Sequence, residues 1–403
     1  MTKILHKIKI SFLLIIGSLI LSLTLGEIIV RNFLPQQLVR GYIQYDSDLG
    51  SYPRPNFIYH DQYGANYFVK TNDYSFRMEE NIDLSPDRLR VIAYGDSFTF
   101  GLGLNYEHSY FAKLKTAIET VNTKIQFINA GVGGYSTGHV KILLERHIKS
   151  LNPSAIIYFL NNNDLVDNMV INPDYRVSTY SFNDNGEALL KDEKPFAPWK
   201  RWALAKTPYG WLNQNSHLLV FAKTMFKEIF GIGAVNEVKR PTIKSSKKPV
   251  QAVNEKSLQP QFTVSFDQFN YLTANQSKII AVTIAHLKRI VKLSKKVNLP
   301  LIVAWIPSPE EMLPTNKNVE INLFFRSARQ RFKALEKQYE RYRFIDTVWP
   351  IEMNENWKQR AITLRLSDGH FNINGNEWYA THIRPQIIKF LQDQLAIPII
   401  RDN

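Results

Sequence analysis

The amino-acid sequence predicts an α/β fold, a central parallel sheet covered by helices and interrupted once by a long insertion. Three observations carry that expectation. Between residues 89 and 165, short apolar runs alternate with segments whose apolar residues recur at helical spacing, in the order strand, helix, strand, helix, strand. The same alternation returns between residues 277 and 395. No internal repeat period is visible, which sets solenoids and propellers aside.

Residues 1–31 read as a basic tip followed by an uncleaved transmembrane anchor. Lys3, Lys7 and Lys9 precede Ile10–Gly26, seventeen residues without charge, and after a single Glu27 the apolar character resumes at Ile28, Ile29 and Val30. A cleaved secretory signal would share the basic start. Against it, Ser22-Leu23-Thr24-Leu25-Gly26 lacks the Ala-x-Ala pattern of a cleavage site. Three lysines before the apolar stretch, against the balanced pair Glu27 and Arg31 after it, orient the N-terminus to the cytoplasm. Everything after residue 31 is then expected outside, periplasmic or at the cell surface.

Residues 32–88 form a lead-in rich in Tyr, Asn and Pro from about residue 40, expected to be irregular with short strands. The α/β domain proper covers 89–165 and 277–395. Its strands are expected at Arg88–Tyr94, Lys124–Asn129, Ala155–Leu160, Leu299–Trp305 and Tyr342–Asp346. Helices are expected at Tyr110–Thr120, Gly138–Ser150, Ser277–Lys296, Ile321–Tyr339 and Trp378–Leu391. Residues 166–276 break the rhythm with Asn, Asp and Pro, with Trp199, Trp202 and Trp211, and with a Lys/Ser/Pro stretch at Lys239–Pro260. They read as an insertion, partly flexible, that serves as a lid or docking region. Its tryptophans could stack on sugar rings, although aromatic residues more often fill a core.

The 403 residues include no cysteine, which excludes disulfide frameworks, thiol nucleophiles and Cys-based metal centres. Chemistry must come from hydroxyl, imidazole or carboxylate groups. In an open parallel sheet the site lies beyond the carboxyl ends of the strands. After the first strand comes Gly95-Asp96-Ser97-Phe98-Thr99-Phe100-Gly101, after the second Asn129 to Thr137 with Gly133 and Gly134, and after the third Asn161-Asn162-Asn163-Asp164. Each has a plain structural use: Ser97 as a helix cap, the glycines as a turn, the asparagines as a loop. A fourth segment, Ser367-Asp368-Gly369-His370 before the last helix, adds a carboxylate and an imidazole two residues apart, which can supply a base and its orienting acid. His108, His139, His147, His217, His286 and His382 lie on or beside expected helices without metal-ligand spacing, so neither metal nor cofactor is expected.

Taken together, these four blocks resemble the SGNH, or GDSL, hydrolase superfamily, over about 89–165 and 277–392. The resemblance implies a three-layer, flavodoxin-like α/β domain with Ser97 as nucleophile and His370 as base. It further implies that the Gly134 N–H and the Asn163 side-chain amide stabilise the oxyanion. Two departures stand out. Asn161 occupies the place of the family's usual Gly, and the last block is Asp-x-His rather than Asp-x-x-His, with Ser367 three residues before His370 and Asp368 two before. The shorter spacing is similar to that of SGNH-like proteins of alginate O-acetylation. Asp368 is the acid it implies, with Asp346 as the substitute.

The activity implied is a serine esterase, membrane-anchored, acting on O-acyl groups, O-acetyl foremost, of an extracytoplasmic carbohydrate or related ester. Water as final acceptor gives hydrolysis. A sugar hydroxyl gives an O-acetyltransferase of a cell-surface polysaccharide, a reading that allows a partner acyltransferase in the membrane. Two others remain, a catalytically degenerate binding scaffold, suggested by Asn161 and the Asp368 spacing, and a lipase acting on membrane lipid. Nucleic acid is not an expected partner, since no recognition motif is present. The formal charge of +14 fits this division. Residues 188–258 hold thirteen Lys/Arg against five Asp/Glu, and Ser277–Lys296 holds six with no acid, so the excess belongs to the tip, the insertion and one helix.

Overall fold

The computed structural model describes residues 2–36, 42–61, 67–169, 175–230, 266–312, 319–348, 364–366 and 369–396. The chain divides into two compact units, Met1–Tyr45 with Ala197–Arg240, and Asp46–Phe196 with Pro241–Asn403. A long first helix, α1 (Thr2–Phe33), precedes four short strands, β1 (Ile43–Asp46), β2 (Gly50–Pro53), β3 (Ile58–Asp61) and β4 (Tyr67–Lys70). There follow β5 (Leu89–Gly95), α2 (Ser97–Phe100), α3 (Tyr110–Val121), β6 (Ile125–Gly131), α4 (Thr137–Leu151), β7 (Ala155–Asn161) and α5 (Asn162–Asp167). A hairpin of β8 (Ser178–Phe182) and β9 (Ala188–Asp192) leads to three helices, α6 (Pro198–Lys206), α7 (Pro208–Asn215) and α8 (His217–Phe230). The chain continues through α9 (Phe266–Lys296), β10 (Leu301–Ile306), α10 (Pro309–Met312), α11 (Val319–Lys333), β11 (Tyr342–Ile345) and α12 (Ile373–Leu395).

The five main strands form one parallel sheet in the order β6-β5-β7-β10-β11. Counted within the sheet this is 2-1-3-4-5, the flavodoxin-like order, and it places a topological switch point between β5 and β7. Every residue of β6, β7 and β10 is buried, as expected of parallel strands covered on both faces. Strand alternation divides the core in two. Ile92, Tyr94, Ile156, Tyr158, Val303 and Trp305 pack with α4, α9 and α11, while Val91, Ala93, Ile157, Phe159, Ile302 and Ala304 pack with α3 and α12. The result is helix, sheet, helix.

Caps fix where the helices begin. Ser109 Oγ accepts the Ala112 N–H at the start of α3, and Asn372 Oδ1 accepts the Gly375 N–H at the start of α12. The Asn372 cap explains why that helix opens at Ile373, five residues before its apolar periodicity becomes visible. Likewise α9 starts at Phe266, well ahead of the expected Ser277. The segment expected as one helix to Tyr339 changes to a 3-10 turn at Ala334–Gln338, where Glu336 Oε1 accepts the Phe344 N–H of β11.

The insertion is not one body. Hairpin β8–β9 belongs to the α/β unit, and Arg289 of α9 binds both Leu190 O and Asp192 through it. Helices α6–α8 group instead with α1. The stretch Lys239–Pro260 lies outside the described residues. Within the lead-in, Arg77 is fully buried and spans four backbone carbonyls, those of Phe68, Phe100, Gly101 and Leu104. Three of these belong to the turn that leaves α2.

Three of the histidines set aside as structural are buried in this unit, His139, His147 and His286. His147 Nδ1 lies 3.1 Å from the Tyr94 hydroxyl, and burial pushes its pKa down to about 3. The folded state therefore keeps it neutral while the unfolded chain takes a proton below about pH 6.5. Its contribution is fully present above that pH and is lost as pH falls toward 3. The thermal midpoint of the purified protein is expected to drop over this window, and less steeply in His147→Gln. An unchanged slope in that variant would place the acid sensitivity elsewhere.

Candidate active site

The carboxyl ends of β5, β6 and β7 bring three of the four sequence blocks to one edge of the sheet. Strand β5 ends at Gly95, where a side chain has no room: a Cβ there would lie 1.9 Å from Thr99 Oγ1. That close approach lets the chain turn directly from strand into α2. Asp96 caps the turn by accepting the Phe98 N–H through Oδ1, at 2.9 Å. Ser97 is thus the first residue of a short, buried helix, and Asp96 rather than Ser97 serves as its cap. Asn129, at the end of β6, braces the same turn by donating to Thr99 O and accepting from Gly131 N, both at 3.0 Å.

His370 meets this serine from a distant part of the chain. Its Nε2 lies 2.8 Å from Ser97 Oγ, so the two residues share a hydrogen bond across 273 positions of sequence. The segment holding His370 is fixed from several sides. Leu366 N donates to His370 O, and Arg365 pairs with Phe371 in an isolated bridge. Asn376 ties the start of α12 to α3 by accepting the Tyr110 N–H at 2.8 Å while its own amide donates to Phe371 O and Asn372 O. The imidazole ring leans on Phe98, with ring centroids 4.7 Å apart.

Arg365 was not among the residues singled out by sequence. It donates to the carbonyls of Gly369 and Pro307, and its guanidinium stands 4.5 Å over the Phe371 ring and 5.8 Å over Phe98. One side chain thus joins the histidine segment, the chain after β10 and the aromatic rest under the imidazole. Arg365→Leu is expected to lower kcat by about 10²-fold through a misplaced base, with KM little changed. An unaltered kcat would show that the histidine keeps its place without it.

The expected oxyanion donors sit as follows. Gly133 and Gly134 form an exposed turn after β6, a Cβ on Gly133 would stand 3.8 Å from Ser97 Cβ, and Gly134 takes φ +83°, a left-handed conformation that favours glycine. Asn163 is half-buried in α5; its side-chain amide donates to Asp167 Oδ2 at 3.5 Å and lies beside Asp96, the residue before Ser97, and its Oδ1 is buried without a partner. Asn161, in the place of the usual glycine, ends β7 and caps α5, and its backbone N–H donates to Asp164 Oδ2 at 2.8 Å.

Two buried carboxyls lie under these donors. Burial raises the pKa of Asp96, and burial followed by the neighbouring Asp96 raises that of Asp164. Asp96 Oδ2 and Asp164 Oδ1 are buried and have no hydrogen-bond partner within normal geometry among the described residues. Sequence reading passed over both as neighbours of the functional residues.

The acid expected behind His370 divides into two cases. Asp368 lies outside the described residues, as does Ser367. Asp346 is engaged elsewhere, its carboxylate held by Arg329 Nε at 3.1 Å and by the Val348 N–H at 3.1 Å. Arg329 is itself buried and paired with buried Glu311, which also accepts from Trp305 Nε1. Asp346 thereby belongs to an ion-pair network beside β10 and β11.

No protein-family model matches the chain, and no curated protein matches its sequence. Its structure is similar at low identity to several solved ones. One is TesA, 11% identical over 76% of this chain and 99% of that one, with a TM-score of 0.36. Another is the acetyl xylan esterase AlAXEase, 15% identical over 74% and 100%, at 0.38. A third is a catalytic mutant of Axe2, an acetylxylan esterase from Geobacillus stearothermophilus, 13% identical over 74% and 94%, at 0.37.

Proposed function

We propose that the chain is a serine esterase of SGNH type, anchored in a membrane by α1 and acting on O-acyl groups, O-acetyl foremost, of an extracytoplasmic carbohydrate. The observation that carries it is the 2.8 Å contact between His370 Nε2 and Ser97 Oγ at the mouth of the β5–β7 switch point. A base at hydrogen-bond distance from a hydroxyl on a tight strand-to-helix turn is what an activated serine requires. The anchor rests on Ile8–Phe33, 26 residues that contain an 18-residue window of mean hydropathy 2.4, almost entirely exposed, and on the lysines before it, whose charge favours a cytoplasmic N-terminus.

In the mechanism, His370 Nε2 takes the Ser97 proton as Oγ bonds to the acyl carbon. The carbonyl electron pair moves onto oxygen, where the Ser97 and Gly134 N–H groups and the Asn163 amide stabilise it. Collapse re-forms the carbonyl and breaks the bond to the alcohol oxygen, which leaves with the proton from His370. Water, deprotonated by the same imidazole, then attacks the acyl-serine, and a second collapse releases the acid and restores Ser97. Asp368 is assigned as the carboxylate that holds the imidazole from its Nδ1 side.

The test is covalent. A fluorophosphonate probe is expected to label the full-length protein in detergent at Ser97, mapped by mass spectrometry, and to leave Ser97→Ala unlabelled. The same preparation should release acetate from acetylated polysaccharide. Equal labelling of both proteins, or none of either, would sink the reading.

A further inference from the structure

The unit that contains α1 also contains α6, α7 and α8, and its surface is unlike that of the α/β unit. Trp199, Trp202 and Trp211 are 70%, 63% and 66% exposed, and Phe226 and Ile229 are 54% and 70% exposed. The tryptophans of the insertion therefore do not fill a core. A protein surrounded by water rarely exposes so many large apolar side chains on three consecutive short helices. Tryptophan with its ring outward is characteristic of the boundary between a bilayer and water.

The attachment of these helices to α1 fixes where they sit along it. Glu27, the one carboxylate within the apolar stretch, is fully occupied by the start of α8. Ser216 Oγ donates to it at 2.8 Å, His217 N at 3.0 Å and Leu218 N at 2.9 Å, while Arg31 donates at 2.9 Å and also reaches Asn215 O. Gln36 N donates to His217 Nδ1 at 2.9 Å. Leu218 packs so closely on Gly26 that a Cβ there would lie 3.1 Å from it. A charge inside hydrocarbon is expensive unless partnered, and the N-terminus of α8 supplies the partners. At 1.5 Å per residue, Glu27 lies about 9 Å before the end of α1 at Phe33, the depth at which an interfacial helix rests in a bilayer.

We propose that α6–α8 form a collar around the outer end of the anchor that lies within the lipid interface, its Trp, Phe and Ile side chains in contact with phospholipid. The occupant facing these exposed side chains is the bilayer, because the helices that carry them are tied to α1 through Glu27, Gly26 and Gln36 near its outer end. The five basic residues between Lys200 and Lys227, against the single acid Glu228, suit anionic headgroups. This inference rests on α1 spanning the membrane.

The absence of cysteine makes the test direct. Leu19→Cys, Trp202→Cys, Trp211→Cys, Phe226→Cys and Ile229→Cys, each in the full chain, are spin-labelled in nanodiscs of phosphatidylcholine and phosphatidylglycerol, with Asn185→Cys as the aqueous reference. Fluorophosphonate labelling of Ser97 checks that each variant folds. The ratio of oxygen to nickel-chelate accessibility is expected to rise several-fold over the reference at the four collar positions, and further at position 19. Collar labels that read aqueous while position 19 reads lipid would overturn the collar and leave the anchor. Collar labels shielded from both reagents would overturn it in favour of a protein partner. An aqueous reading at position 19 would remove the anchor and the collar together.

Discussion

Ser97→Ala is expected to lower kcat on an acetyl ester by on the order of 10⁵-fold or more, with KM changed little. The reason is that in the proposed mechanism Ser97 Oγ carries the acyl group, so its removal abolishes the covalent step. His370→Ala should cost about as much, and the double variant no more than either, since base and nucleophile act as a unit. The carboxylate joins the same series. Asp368→Asn should cost about 10⁴-fold by letting the imidazole take the wrong tautomer. Asp346→Asn should instead act on stability through Arg329, with kcat retained in the folded fraction. A large kcat loss in Asp346→Asn with normal folding would exchange the two assignments. Steady-state kinetics and melting curves on the five variants decide it.

Asn163→Ala carries the second-largest expected effect. Removing one preorganised oxyanion donor typically costs about 10²–10³ in kcat, and the loss falls on kcat because the donor meets charge only in the transition state. Asn163 also contacts the buried Asp96, so a purely structural role predicts a different outcome, lost stability with kcat within a few-fold of the parent. A transition-state analogue separates the two. The variant should bind a boronate more weakly in proportion to its kcat loss, and an unchanged boronate affinity would remove Asn163 from the oxyanion site.

The sheet was legible because parallel strands buried on both faces leave short, unmistakable apolar runs: β7 at Ala155–Asn161 and β10 at Leu301–Ile306 stand where the sequence places them. Ser97 and His370 were legible because Gly95-Asp96-Ser97 ends the first strand and Asp368-Gly369-His370 precedes the last helix, two of the four blocks that together resemble the SGNH superfamily. What escaped notice had no local signature. Arg365 works through carbonyls of Gly369 and Pro307, and a lone arginine next to a loop announces nothing about partners 58 residues away. Asp96 and Asp164 were visible as residues, but burial, which makes them chemically unusual, is a property of the assembled layers. The division of the insertion was hidden for a similar reason: the partner of α8 is Glu27, roughly 190 residues earlier.

Arg77 bears on where the α/β unit can be cut. A fragment started at residue 89 would keep all five sheet strands and both residues of the Ser97–His370 pair. It would also leave the carbonyls of Phe100, Gly101 and Leu104 facing a hole once filled by a guanidinium. The segment that reads as a lead-in is, at this point, the outer wall of the turn that carries Ser97. Any shortened chain should therefore start ahead of β4, so that Arg77 and its partner Phe68 O stay in place beside the turn that carries Ser97.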